Sequence, residues 1–143
     1  MRHDLSIDEL GDLISEAHVA VLATHRADGS VLLSPVYQEW ADGGFTIVIS
    51  ADDVKARHLR RDPRASLALF EDGAPYRGLE VRTTARLVSE GASDAMRRLT
   101  ARFDGEEVAE TDSAALEAAA GPLIVRLEPG PGELRSWDFA DEF

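Results

Sequence analysis

One short segment of the chain carries charge of the sign opposite to the rest. Thr46-Ile47-Val48-Ile49-Ser50 is apolar and β-branched. Behind it, past Asp53, come Lys55, Arg57, His58, Arg60, Arg61 and Arg64, opposed only by Asp62. A helix that starts directly after a strand presents backbone N–H groups and the positive end of its dipole. Lys55 in its first turn adds a full charge, Ser50 adds a hydroxyl, and the fork of Arg57 matches phosphate oxygens. Those groups suit a phosphate monoester. The arginines at 57, 60, 61 and 64 also share one face at i, i+3, i+4 and i+7, which equally describes a solvated helix surface. For Arg60, Arg61 and Arg64 the solvated face is the preferred reading, with Lys55 and Arg57 kept as the functional pair.

Three other places could touch a ligand. In Pro75-Tyr76-Arg77-Gly78, Gly78 would let a flat molecule approach the backbone and Arg77 would supply a second cation, although the same residues read as a plain turn entering a strand. Trp137 could stack on a ring system or pack in a core or between subunits. His25 ends a strand beside an Asp-Gly turn, where a histidine is ordinarily surface, and it is given no acid or base role. No catalytic residue is assigned. The chain has no Gly-x-Gly-x-x-Gly, no Walker loop and no Gly-x-Ser-x-Gly elbow, so dinucleotide folds, P-loops and the commonest hydrolases are set aside. If the protein is an enzyme, a bound cofactor is expected to perform the difficult step.

Composition narrows the field further. With 15 basic and 27 acidic residues the formal charge is −12, which argues against nucleic acid as a partner. A local basic segment in so acidic a chain points to a small anionic ligand. There is no cysteine, and His3, His18, His25 and His58 lack the spacing of a helical metal site, so no metal is expected. The opening MRHDLSIDEL is acidic and poor in apolar residues, unlike a secretory leader, and no apolar run approaches a membrane span. A cytoplasmic location without membrane association is the expectation, and 143 residues fit one domain, taken as 1–143.

The elements that must position these residues follow from periodicity. Ser6 and Glu9 form a capping box ahead of a helix over about 7–17. Strands are expected at 18–25, 31–40, 45–50, 65–70, 79–88, 122–127 and 133–139, with Asp-Gly and Gly-Gly turns after the first two. Pro35 requires an edge position or a bulge in its strand. Asp52 or Asp53 caps a short helix that stops at Asp62-Pro63, and Ser93 or Asp94 starts a second over 92–103. The acidic, alanine-rich stretch 104–120 is expected to be helical from Ser113. The order of elements predicts a mainly β, antiparallel barrel with helices outside it.

In that order the motifs resemble a known family. AVLATHRADGSVLLSPVY, FTIVISADDVKARHLRRDPRASLALF and PYRGLEVRTTARLV are similar to the pyridoxamine 5'-phosphate oxidase-like, FMN-binding split-barrel proteins, above all the small actinobacterial branch that uses the deazaflavin coenzyme F420. The likeness spans roughly residues 7–139 and is most specific from Lys55 through Asp62-Pro63-Arg64-Ala65-Ser66-Leu67. It implies an antiparallel split β-barrel, homodimeric, with cofactor sites between subunits. Ser34, Pro35 and Val36 would lie along the ring, Ile49 and Ser50 near ring and phosphate, and Lys55 and Arg57 on the phosphate. Arg77 and Gly78 would line the site, and Trp137 would close it from the other subunit. Val54-Lys55 stands where the FMN oxidases carry Arg-Lys, their basic strand residues and C-terminal substrate region are not evident, and His58 stands where the deazaflavin branch often has Asn. The departures from the FMN oxidases favour F420. The implied activity is hydride transfer from reduced coenzyme F420 to an unsaturated small-molecule acceptor. The alternatives are an FMN-dependent oxidoreductase of the same fold, a flavin- or deazaflavin-binding protein without turnover, and a dimerisation domain with an empty cleft.

Overall fold

The computed structural model describes residues 1–111 and 120–142. Two antiparallel sheets carry the fold. The first has six strands in the order β1-β10-β7-β6-β2-β3, and the second has four in the order β4-β5-β9-β8. Their ranges are β1 Arg2–His3, β2 Ala20–His25, β3 Val31–Val36, β4 Glu39–Ala41, β5 Gly44–Ser50, β6 Arg64–Phe70, β7 Gly78–Thr84, β8 Arg86–Val88, β9 Pro122–Leu127 and β10 Leu134–Asp138. The helices are α1 Ile7–Leu10, α2 Asp12–Ser15, α3 Val54–Arg61 and α4 Ala92–Asp104. The mainly β, antiparallel class expected from the sequence is what the chain adopts, with the sheets arranged as in a split barrel. Among the described residues no helix is long and apolar enough to cross a membrane.

Alternation in the sequence decides which way each strand faces. Leu22, Ile47, Leu67, Leu69, Leu79, Val81, Val125 and Leu127 are fully buried and form the core together with Phe45. In β9 the neighbours between them stay partly exposed, in strict alternation. Leu10 and Leu13 from the first two helices are completely buried in the same cluster. β3 is an edge strand, and this is how Pro35 is accommodated: it pairs with Val21 on one side only.

Three expected elements are broken where the chain must change direction. The helix expected over 7–17 begins with the capping box, Glu9 N–H donating to Ser6 Oγ at 3.2 Å and Ser6 N–H to Glu9 Oε1 at 3.1 Å. It divides at Gly11, whose φ of 56° no regular helix contains, and this turn brings both Leu10 and Leu13 inward. The strand expected over 31–40 leaves the first sheet after Val36 and enters the second at Glu39. The strand expected over 79–88 does the same around Ala85, whose N–H donates to the Pro63 carbonyl at 2.7 Å. Sequence periodicity runs straight through such corners because residues on both sides still alternate. α4 starts from Gly91 rather than from a side-chain cap at Ser93 or Asp94. The two residues of β1, too short to carry a period, pair with β10. Residues 106–111 are helical, while the helix expected from Ser113 lies mostly outside the described residues.

Gly78 opens β7 opposite Trp137 of β10. A Cβ at Gly78 would collide with the indole ring, so glycine is what lets the ring lie on the strand. Replacing Gly78 with Ala forces that ring or the strand aside, and overpacking of this kind costs about 1–3 kcal/mol. Urea unfolding followed by Trp fluorescence should show a correspondingly lower midpoint, and an unchanged midpoint would contradict the packing described.

Candidate functional site

Asp53 is the N-cap of α3, as its sequence position suggests, and its Oδ1 accepts the Lys55 N–H at 2.8 Å. The helix stops at Asp62 because the residue before a proline is held extended, here at φ −139° and ψ 103°. Between these ends α3 packs Ala56 and Leu59 into the core. Thus β5 delivers Val48, Ile49 and Ser50 to one place, and α3 sets Lys55 immediately beyond them.

A cavity of about 660 Å³ opens there, within the size range of small-molecule sites. One wall is the end of β3 and its exit, Pro35, Val36 and Tyr37; a second is Val48, Ile49 and Ser50; a third is Met96, Leu99, Thr100 and Asp104 of α4. Val19 completes the apolar part, and Asp53 with Lys55 forms the polar end. Tyr37 is fixed at the rim by two contacts. Its ring stacks on Phe103 with centroids 4.1 Å apart and planes at 3°, and its hydroxyl donates to Asp104 Oδ1 at 2.8 Å.

Of the ten residues named from the sequence, the cavity brings together Pro35, Val36, Ile49, Ser50 and Lys55. Ser34 pairs with Leu22 within the sheet and is not part of the lining. Arg57 is exposed on α3 and also lies outside it. Arg77, Gly78 and Trp137 stand elsewhere in the same chain. The Arg77 guanidinium is clamped by Glu71 through Nε at 2.7 Å and Nη2 at 3.0 Å, by Asp12 at 2.6 Å, and by the Leu10 carbonyl at 3.1 Å. That clamp holds the Glu71 carboxyl below the usual carboxylate range, chiefly through its hydrogen bond from Arg77. Arg77 therefore spends its charge joining α2 to the 71–77 loop. The flat group lying against Gly78 is the chain's own Trp137, whose ring is covered by the Arg135 guanidinium at 5.0 Å from its centroid.

The other arginines of the basic segment are tied to the scaffold. Arg60 donates to the Ala51 carbonyl at 3.1 Å and Arg61 to that of His25. Arg64 holds the Asp62 carboxylate through Nε at 3.0 Å and Nη2 at 2.7 Å, which keeps that acid far below its ordinary range. Sequence reasoning missed the α4 wall. Met96, Leu99, Thr100 and Asp104 recur at helical spacing, but that spacing reads as a core stripe and nothing in it distinguishes a cavity from packed interior. Tyr37 was missed because the expected strand ran past it, and Asp53 was seen only as a cap.

His58 ties α3 to the first sheet: its Nδ1 lies 3.0 Å from the hydroxyl of fully buried Thr24. Burial first, then Arg26, Arg61 and Arg57, push its pKa below the ordinary 6.5. A base whose folded pKa is lowered favours the folded state while it is neutral. That contribution is complete above about pH 6.5 and is lost as pH falls below it. The urea midpoint should therefore drop between pH 7 and 5.5, before most carboxylates titrate, and H58Q should flatten the drop. An equal drop in the variant would remove His58 from the account.

Comparison with known proteins identifies the family and the fold. The family model for pyridoxamine 5'-phosphate oxidase matches residues 6–127. No curated protein sequence matches the chain. Among solved structures, a conserved hypothetical protein, Rv2991, of Mycobacterium tuberculosis is 27% identical with a TM-score of 0.73, over 95% of this chain and 86% of that one. A protein named F420 reductase is 23% identical with a TM-score of 0.68, over 83% and 91%. An FAD and heme binding protein of Mycobacterium smegmatis is 19% identical with a TM-score of 0.71, over 95% and 72%.

Proposed function

Because the chain belongs to the pyridoxamine 5'-phosphate oxidase family of split barrels, we propose that its cavity holds the ring of a flavin-type cofactor, coenzyme F420 by preference, in an oxidoreductase. The observation that carries this reading is the cavity's division into an apolar slot and a polar end that holds Lys55. Pro35, Val36, Val48, Ile49, Met96 and Leu99 offer a dry surface for a flat ring, and Lys55 offers an ammonium to its anionic tail. The residues present therefore fit such a group. The related structures bear names tied to F420, FAD and heme, but at 23% and 19% identity that likeness is one of fold. The preference for F420 rests on Val54-Lys55 in place of an Arg-Lys pair and on the single lysine of the lining.

The chemistry a reduced deazaflavin supplies when bound is a hydride for an unsaturated small-molecule acceptor. The protein's own part is to orient and to exclude water. Val36 and Ile49 are almost completely buried and make the inner wall rigid. Lys55, only 16% exposed at its side chain, acts in a partly desolvated setting where its charge counts for more than in water. Tyr37 holds its proton on Asp104 Oδ1 at the rim. A non-catalytic carrier of the same cofactor is the second reading, favoured by one observation: both lining carboxylates already have partners, Asp53 in Lys55 and Asp104 in Tyr37.

A side-by-side titration with coenzyme F420 and FMN tests the cofactor. K55A should weaken binding at least about tenfold, the scale of one hydrogen-bonded charge, and unchanged affinity would defeat the phosphate role. Turnover of an acceptor above the rate with reduced cofactor alone separates the oxidoreductase from the carrier.

The functional unit in this reading is a homodimer, in which Trp137 of a second copy would close the cavity. The free edge strand β3 supports it, with Val31 42% and Leu33 65% exposed, an apolar surface of the kind a second copy covers. Sedimentation velocity at micromolar concentration should give twice the 15.5 kDa of one chain, and a single-chain mass would remove the dimer.

A further inference from the structure

The cation at the polar end of the cavity already faces an anion. Lys55 Nζ lies 3.2 Å from Asp53 Oδ2, and the two side chains are 16% and 28% exposed. Three backbone donors of the first turn of α3 are engaged as well. Asp53 Oδ1 takes the Lys55 N–H at 2.8 Å, and the Asp53 carbonyl takes those of Ala56 at 3.0 Å and Arg57 at 3.3 Å. The nearby Ser50 hydroxyl donates to Asp52 Oδ1 at 2.6 Å. Among the described lining residues, Lys55 is the one cation and Asp53 and Asp104 are two carboxylates. Arg60, Arg61 and Arg64 bond the Ala51 carbonyl, the His25 carbonyl and Asp62, and none of the three lines the cavity, so Lys55 is the cation an incoming group would meet there.

This arrangement discriminates between anions by their charge. The repulsion an incoming group feels from Asp53 grows in proportion to the charge it carries. A phosphate monoester carries between about −1.5 and −2 near neutral pH; a phosphodiester has lost that second ionisable oxygen and carries one charge. Lys55 paired with Asp53 leaves this end without net charge, so each negative charge a ligand brings shares the one ammonium with the carboxylate, and a second must be desolvated beside it with no cation of its own. Resting on the reading of this cavity as a cofactor site, we propose that Asp53 sets the charge of the tail it accepts, admitting a singly charged phosphodiester and disfavouring a dianionic monoester. The residue that caps the helix thereby also selects the class of cofactor, and it selects against the monoester that the sequence alone made the natural ligand.

The test uses three flavins with one ring: FMN, its phosphate methyl ester, and riboflavin. The full chain, wild type and D53N, is titrated with each by flavin fluorescence. Asn caps a helix as well as Asp does, so the fold should be retained, and Ser serves as a second cap-preserving replacement. The wild type should bind the methyl ester on the order of tenfold tighter than FMN. D53N should strengthen FMN on the order of tenfold and the ester only about threefold, because the effect scales with ligand charge, and should leave riboflavin unchanged. Equal binding of FMN and its ester by the wild type, or an equal effect of D53N on both, would overturn the inference while the cavity reading stands. If none of the three flavins binds, the inference falls, and the cavity reading falls with it only if coenzyme F420 also fails to bind.

Discussion

The chain passes from one sheet to the other at Tyr37-Gln38, and that corner is held by a buried amide. Gln38 is fully buried, and its Nε2 donates to the His18 carbonyl at 2.9 Å. The buried Nε2 keeps that partner because an unbonded donor in the interior is costly, whereas Oε1 of the same amide has none among the described residues. The bond fixes where β3 ends and β4 begins. It therefore fixes Pro35, Val36 and Tyr37 along one wall of the cavity, facing the end of β5. On the far side α4 supplies the third wall, and the Tyr37–Phe103 stack with the Tyr37–Asp104 hydrogen bond joins that helix to the corner. The cavity thus lies beside the corner where the chain passes between the two sheets, between the end of β5 and α4.

Charge in this protein is organised by pairing. The basic segment that stands out in an acidic sequence points mostly away from the cavity: two arginines tie α3 to neighbouring carbonyls and a third is forked onto Asp62. Arg77 does the same for the other end of the molecule, joining α2 to the 71–77 loop. What is left at the cavity is Lys55, and even this ammonium shares its charge with Asp53. The electrostatic character of the site is therefore that of an ion pair open to exchange, a milder anion receptor than a cluster of arginines would make.

Family membership and function part company at this point. The pyridoxamine 5'-phosphate oxidase family model covers most of the chain, and structures of the same fold bear names as different as F420 reductase and FAD and heme binding protein. A fold shared so widely supplies a frame, and chemistry resides in the few side chains lining its cavity. In this chain those are an apolar slot, a half-neutralised lysine and a tyrosine held by an aspartate.

Much of the frame could be read from the order of residues. Short apolar and β-branched runs between turn residues marked β2, β5, β6 and β9, proline at 35 required an edge position or a bulge, and Asp52 or Asp53 with Asp62-Pro63 marked the ends of α3. These features are local, set by backbone preferences and by the nearest neighbours along the chain. The corners at Gly11, Gln38 and Ala85 were not legible, because alternation continues across a bend that only packing against the other sheet imposes. The same limit applied to the site. Types and spacing identified Lys55 and Ser50, which lie at the junction of two consecutive elements, while Pro35, Val36 and Ile49 came from the family resemblance. Whether Arg77 meets a ligand or Glu71, whether Gly78 receives a cofactor or Trp137, and whether Lys55 is bare or paired all depend on distances between segments far apart in sequence. Those distances are decided when hydrophobic faces close on each other, and that is a property of the folded molecule alone.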